Sequence, residues 1–111
     1  MDDSLSASRQ SQMKRLIYMD FAFGGSLSKI GSQRDLERNG VVLREGMELL
    51  LYQADEDENN HPGYLFTDAV VHWDMDRNRW IARYSEVRFA QVETPEQLRL
   101  PGIKSKVVQR S

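Results

Sequence analysis

Residues 69–84 read AVVHWDMDRNRWIARY and predict a β-hairpin with one tryptophan on each arm. Both arms are rich in β-branched and aromatic residues, which favour half-buried strands. A four-residue turn over residues 75–78 places Trp73 opposite Trp80. Because asparagine tolerates a positive φ, we expect Asn78 to be the left-handed residue that closes this turn.

This register sorts the side chains of the hairpin onto two faces, since side chains alternate along a strand. The apolar face holds Val71, Trp73, Trp80, Ala82 and Tyr84. The other face holds His72, Asp74, Arg79 and Arg83, together with Val70 and Ile81. One apolar and one mostly polar face are typical of a half-solvated antiparallel sheet, so we expect the tryptophans to pack in the core.

Further strands are predicted on both sides of the hairpin. They lie at residues 41–43, 47–53, 64–68 and 87–92. The run Leu49-Leu50-Leu51 indicates burial on both faces of its strand. Apolar residues fall at even positions before Ser85-Glu86 and at odd positions after it, which predicts a bend or bulge there.

Two short helices are indicated by capping patterns. The first covers residues 32–38, with Ser32 as its N-cap and Asn39-Gly40 as its stop signal. The second opens at Thr94, which forms a capping box with Gln97, and Pro95 occupies the first helical position.

The predicted fold is mainly β, with about five antiparallel strands and one or two short helices. The strand pattern of residues 41–93 resembles SH3-like barrels, in which a kinked turn also precedes the final strand. This resemblance implies a small SH3-like barrel or β-roll, and no sequence motif accompanies it. It therefore assigns no functional residues.

The chain is predicted to contain one domain. Residues 13–98 form a single small β-rich domain with an N-terminal arm and a short helix. Residues 1–12 are rich in serine and glutamine and are predicted to be disordered, and residues 99–111 to be a flexible basic tail.

Composition excludes several classes of protein. The 111 residues include no cysteine, so disulfides, thiolate catalysis and cysteine-bound metals are excluded. No apolar run approaches the roughly 18–20 residues that a membrane span needs, and no apolar segment follows the acidic N-terminus as in a signal peptide. We expect no membrane association and a cytoplasmic location.

Charge is unevenly distributed along the chain. Residues 41–98 carry a net charge of −7, whereas residues 99–111 carry +4. A phosphate backbone is bound mainly by lysine and arginine, so we do not expect the acidic core to bind nucleic acid. The basic tail leaves one alternative function open, that of a nucleic-acid or ribosome-associated accessory protein.

Metal binding and catalysis are not predicted. Residues 55–59 and 74–78 both match the start of an EF-hand loop, but the glycine at position six and the glutamate at position twelve are missing. Both histidines, His61 and His72, are expected at the surface without convergent partners. The sequence thus predicts a non-enzyme without cofactor or metal.

A long acidic loop over residues 54–63 is the predicted binding site, because loops on a rigid scaffold commonly carry binding. The candidate partner-binding residues are Tyr52, Asp55, Asp57, Glu58, His61 and Tyr64. Acidic groups beside tyrosines suit a basic or proline-rich protein or peptide. The apolar arm, residues 14–23, offers a route to a homodimer by pairing with an exposed sheet edge. The predicted function is a non-catalytic interaction domain.

Overall fold

A computed structural model describes residues 14–108 of the chain, and the predicted disordered segment 1–12 lies outside these described residues. Within this described range, six strands form one sheet and one segment is α-helical. The strands are β1 (Arg15–Tyr18), β2 (Glu48–Glu56), β3 (Pro62–Asp74), β4 (Arg79–Arg83), β5 (Arg88–Ala90) and β6 (Lys106–Val107). One α-helix, α1, spans Ile30–Arg38, and 3₁₀-helices span Phe21–Phe23 and Pro95–Arg99.

The long strand β3 organises the sheet. β2 pairs with one of its edges, while β4 and β5 follow each other along the other edge, all three antiparallel. β6 adds to the outer edge of β5, and β1 adds to β2 in parallel. The mainly β prediction is confirmed. The sheet is not closed into a barrel, and its β1–β2 pair is parallel where antiparallel pairing was expected.

The hairpin is confirmed in register and in its turn. Trp73 pairs with Trp80, their rings meet edge to face with centroids 5.1 Å apart, and Asn78 has a φ of 55°. Val71 and Ala82 are buried in the larger core cluster, and Trp80 packs against it. Both tryptophans are half-buried, where the sequence predicted core positions, and Trp73 packs against Trp80.

A bulge lies between β4 and β5, where the change of parity predicted an irregularity. Val70 pairs with Arg83 and Phe66 pairs with Arg88, so three residues of β3 face four residues of the opposite strand. The Thr67 hydroxyl donates a hydrogen bond to the Glu86 carbonyl within this bulge. The extra residue turns Val87 and Phe89, at odd positions, toward the core that Ala82 also faces.

The sheet is buried on both faces around β2. Leu49 and Leu51 belong to the larger cluster, with Ile17, Leu65 and Val71 among its members, and Leu50 belongs to a second cluster. The second cluster consists of Leu16, Leu50, Phe66, Ala90 and Leu98. Burial of the leucine run on both faces is confirmed.

Three local predictions are wrong. Residues 41–43 form no strand, and the strand predicted at 47–53 begins one residue later, at Glu48, and continues to Glu56 as β2. The loop predicted at 54–63 is therefore a short turn over residues 57–61. Ser32 is not an N-cap, because α1 begins two residues earlier and the buried Ser32 hydroxyl donates to the Tyr18 carbonyl at 2.6 Å.

Candidate functional site

The turn that joins β2 to β3 is held together by the carboxylate of Asp57. Its Oδ1 accepts backbone hydrogen bonds from Asn59 and His61, each at 2.9 Å, and its Oδ2 lies 3.2 Å from His61 Nδ1. Asn60 takes a φ of 64° at the tip of the turn. The backbone N–H of His61 does most to lower the pKa of Asp57. The Asp57 carboxylate is thus engaged in hydrogen bonds within the turn.

The other two acidic candidates differ from Asp57 in their contacts. Among residues 14–108, the one hydrogen bond to the Asp55 carboxylate is from the neighbouring N–H of Glu56 to its Oδ1, at 2.8 Å. The Lys106 ammonium group donates a hydrogen bond to the Glu58 carboxylate at 2.6 Å. This hydrogen bond lowers the pKa of Glu58 and raises the pKa of Lys106. A basic residue of segment 99–111 therefore contacts the acidic turn.

Tyr52 and Tyr64 lie on one face of the β2–β3 pair, with ring centroids 6.1 Å apart. The Tyr52 hydroxyl donates to Asp35 Oδ2 at 3.1 Å. Partial burial, followed by the nearby Asp35 carboxylate, raises the pKa of Tyr52 to about 12. Tyr52 thus faces α1, while Tyr64 contacts Tyr52 from the neighbouring strand.

An open groove of about 750 Å³ lies where β2 ends and β3 begins. It is lined by Ala54, Asp55, Glu56, Pro62, Gly63, Tyr64, Gln91, Val92 and Glu93. β3 and β5 approach each other closely at Gly63, where an added Cβ would overlap the Ala90 carbonyl oxygen and lie 2.6 Å from the Phe89 ring. The close packing of β5 on β3 beside the groove therefore needs glycine at this position.

The charged residues in the groove lining are all acidic, namely Asp55, Glu56 and Glu93. Within residues 14–108, none of these three carboxylates takes part in an ion pair. Tyr64 and Val92 add half-buried apolar surface beside them. The groove can therefore offer negative charge and apolar contact together.

The six candidate residues do not all lie in the groove. Asp55 and Tyr64 line the groove, Tyr52 packs against Tyr64, and Asp57, Glu58 and His61 lie on the turn. Residues 91–93 also line the groove, although the sequence did not predict them there. Glu56 shares a face with Tyr52 in an extended strand, but residues 91–93 reach the site only through the pairing of β5 with β3.

Each histidine contacts a carboxylate. The sequence predicted both as exposed surface residues, and His61 is exposed whereas His72 is half-buried. His61 meets Asp57 in the turn, and His72 Nδ1 lies 2.8 Å from Glu45 Oε2. Glu45 Oε1 also accepts the backbone N–H of Trp73 at 2.9 Å. Across residues 14–108, no three histidine or acidic side chains are grouped as metal ligands.

The predicted dimer arm forms an edge strand whose outer side is partly capped. The backbone N–H of Tyr18 donates to Asp35 Oδ2 at 2.9 Å, and its carbonyl accepts the Ser32 hydroxyl. An incoming strand would need these same backbone groups. A homodimer through residues 14–23 stays a prediction. The two hydrogen bonds at Tyr18 leave fewer backbone groups of β1 free to pair with a second copy.

In the described part of the chain, no helix has the length and apolar character to cross a membrane. No protein-family model, curated protein or solved structure matches this chain.

Proposed function

We propose that this chain is a non-catalytic interaction domain that binds a basic segment of a partner protein in the groove beside Tyr64. The observation that carries the proposal is the groove lining, in which Asp55, Glu56 and Glu93 are the charged residues and none is in an ion pair among the described residues. Unpaired carboxylates around a concave surface attract lysine and arginine side chains.

Apolar surface in the groove supports a peptide rather than a free ion as the ligand. Tyr64 and Val92 are half-buried, and Pro62 is exposed at the rim. Peptide recognition commonly combines such apolar contacts with a few placed polar groups. A proline-rich partner remains part of the proposal, since the tyrosine beside the acidic residues offers an aromatic surface of the kind that proline-rich segments bind.

Binding of two peptides tests the proposal. A lysine- and arginine-rich peptide and a neutral proline-rich peptide are titrated into the full chain by calorimetry at low and high salt. We expect the basic peptide to bind, and its affinity to fall as salt screens the carboxylates. Binding of the neutral proline-rich peptide alone would instead favour an aromatic groove without a charge requirement.

Three single charge reversals test where the peptide binds. Asp55→Lys and Glu93→Lys alter the groove, whereas Asp76→Lys makes the same charge change in the hairpin turn. β3 separates the two ends by roughly 40 Å, at about 3.3 Å for each of its 13 residues. We expect roughly tenfold weaker binding for the groove variants, since each is worth about 1–2 kcal/mol, and little change for Asp76→Lys. Equal effects from all three would contradict the assignment.

The alternative function through segment 99–111 also stays a proposal, as does a cytoplasmic location. In this segment Lys106 is bound to Glu58, while Lys104 is exposed. Nucleic-acid binding that is salt-sensitive and lost with Lys104→Glu would support this alternative. Localisation of the tagged full chain tests the location.

A further inference from the structure

Residues 104–108 lie as an extended segment along the outer edge of β5. Lys106 pairs with Phe89 and Val107 pairs with Arg88, and the N–H of Val108 donates to the Val87 carbonyl at 2.8 Å. Side chains fasten the segment at two further points. Arg88 Nε donates to Ser105 Oγ at 2.8 Å, and Lys106 Nζ donates to Glu58 Oε1 at 2.6 Å.

Residues 104–108 cover the surface beneath them only in part. Lys106 and Val107 are exposed, and Val107 keeps 41% of its surface in solvent. Cavities of about 320, 280 and 380 Å³ border the segment. A strand of two residues with so little burial contributes few of the contacts that make a sheet edge stable.

The surface beneath the segment has a defined chemistry. It presents the backbone edge of β5, the core residues Val87 and Phe89, and the carboxylate of Glu58. Val108 packs against the larger core cluster. A segment with a lysine two residues before an apolar residue therefore matches this edge, as the chain's own sequence Lys106-Val107-Val108 does.

We infer that the edge of β5 is a strand-addition site for an extended, lysine-bearing segment of a partner protein, and that residues 104–108 occupy this site in cis. Strand addition supplies affinity through backbone hydrogen bonds, and Glu58 supplies selectivity for lysine. Occupation in cis reduces the apparent affinity for a partner to the intrinsic affinity multiplied by the fraction of time that the site is open. This site uses Glu58 and β5, so it is independent of the groove at Asp55 and Glu93.

A labelled peptide with the sequence of residues 103–111, IKSKVVQRS, probes the site on the full chain. Lys106→Glu opens the site, because glutamate at that position is repelled by Glu58. The matched control is the double variant Glu58→Lys with Lys106→Glu, which restores an ion pair in cis with its charges reversed. Both side chains are more than half exposed, at 54% and 73%, so neither change alters the core.

Fluorescence anisotropy then gives the peptide affinity of each protein. We expect Lys106→Glu to bind the peptide roughly three- to tenfold more tightly than the wild-type chain, the range for loss and reversal of an exposed ion pair. The double variant should bind no more tightly than wild type. A peptide of scrambled order and the same composition should show no such gain.

Two results would overturn the inference. One is equal affinity of the wild-type chain and the Lys106→Glu variant for the peptide. The other is an equal gain with the scrambled peptide, which would show attraction by net charge alone. Thermal unfolding of each variant verifies that the proteins compared are folded. Failure of the groove experiment leaves these results unaffected, because the groove residues are unchanged in all three proteins.

Discussion

The backbone N–H of Tyr18 donates to the carboxylate of Asp35 at 2.9 Å, where the next strand of a larger sheet would accept it. Asp35 Oδ2 also accepts the Tyr52 hydroxyl, and Oδ1 accepts Arg38 at 3.1 Å. One helical carboxylate thus satisfies the edge of β1, fixes a side chain of β2 and joins α1 to the sheet. Asp35 is 6% exposed, so these hydrogen bonds are largely shielded from water.

Removal of the Asp35 carboxylate should destabilise the fold. Asp35→Ala leaves the Tyr18 N–H and the Tyr52 hydroxyl without an acceptor. Both residues are half-buried, and a fully buried unpaired group costs about 1–3 kcal/mol. We expect a loss of about 2–4 kcal/mol in the free energy of unfolding, measured in urea. Asp35→Asn keeps one acceptor oxygen and should lose about half as much. An Asp35→Ala protein as stable as wild type would show that water replaces the carboxylate at this edge.

Tyr52 should keep its proton far above the ordinary range of tyrosine. Partial burial and the Asp35 carboxylate raise its pKa from 10.0 to about 12. The neutral form is favoured in the folded state, so the stabilisation is present below pH 10 and is lost as the pH rises toward 12. The difference in tyrosinate absorbance between wild type and Tyr52→Phe isolates this group. Asp35→Asn should lower the Tyr52 pKa only part of the way, because burial is the larger cause. A midpoint near 10 in wild type would rule out the shift.

The parts of the fold that were predicted from sequence are those set by neighbours along the chain. The hairpin register follows from alternation around a short turn, and the bulge follows from the change of parity at Ser85-Glu86. The capping box is likewise local, with the Gln97 side chain accepting the Thr94 N–H at 3.0 Å. In each case the residues that decide the structure lie within a few positions of one another.

The errors come from contacts between distant residues. Acidic residues favour turns, yet Asp55 and Glu56 are strand residues because they pair with Gly63 and Pro62 of β3. Ser32 resembles an N-cap, but its hydroxyl is needed at Tyr18, fourteen positions away. The parallel pairing of β1 with β2 spans more than thirty residues, and no local pattern specifies it.

The same distinction applies to the candidate site. The acidic turn was located from its composition, and Tyr52 and Tyr64 were expected beside it. The groove wall formed by residues 91–93 follows from long-range pairing, as does the ion pair between Glu58 and Lys106. The site residues as a group stay a prediction that the binding experiments test.

The Asp57 carboxylate should stabilise the turn, whereas the Asp55 carboxylate should not. Asp57→Ala removes the acceptor of the Asn59 and His61 N–H groups and should lower the thermal midpoint, whereas Asp55→Ala should not. The pKa of Asp57 is lowered from 3.8, chiefly by the His61 N–H. Its stabilisation is therefore present above that pH and is lost as the pH falls below it. Thermal unfolding at neutral and acidic pH measures both effects, and equal midpoints for the two variants at neutral pH would contradict this role.

Gly25 should be required for the closure of the sheet edge at β4. Its carbonyl accepts the Ala82 N–H at 2.7 Å, and the N–H of Leu27 donates to the Trp80 carbonyl at 3.2 Å, so this segment covers the outer edge of β4. A Cβ at position 25 would overlap the Ala82 carbonyl oxygen, which is backbone and cannot rotate away. Gly25 is therefore a position at which the backbone of this segment packs directly against β4.

Gly25→Ala should therefore force the segment away from β4 and cost about 1–3 kcal/mol in the free energy of unfolding, as overpacking does. The control is Gly40→Asn, where φ is 63° and an added Cβ meets no atom within 4 Å. Asparagine tolerates this left-handed conformation, so we expect a change of less than about 0.5 kcal/mol. Urea unfolding of both variants measures the difference, and amide hydrogen exchange at Ala82 reports directly on the hydrogen bond to Gly25. Protection of that amide in Gly25→Ala equal to wild type would show that the segment adjusts without leaving the strand.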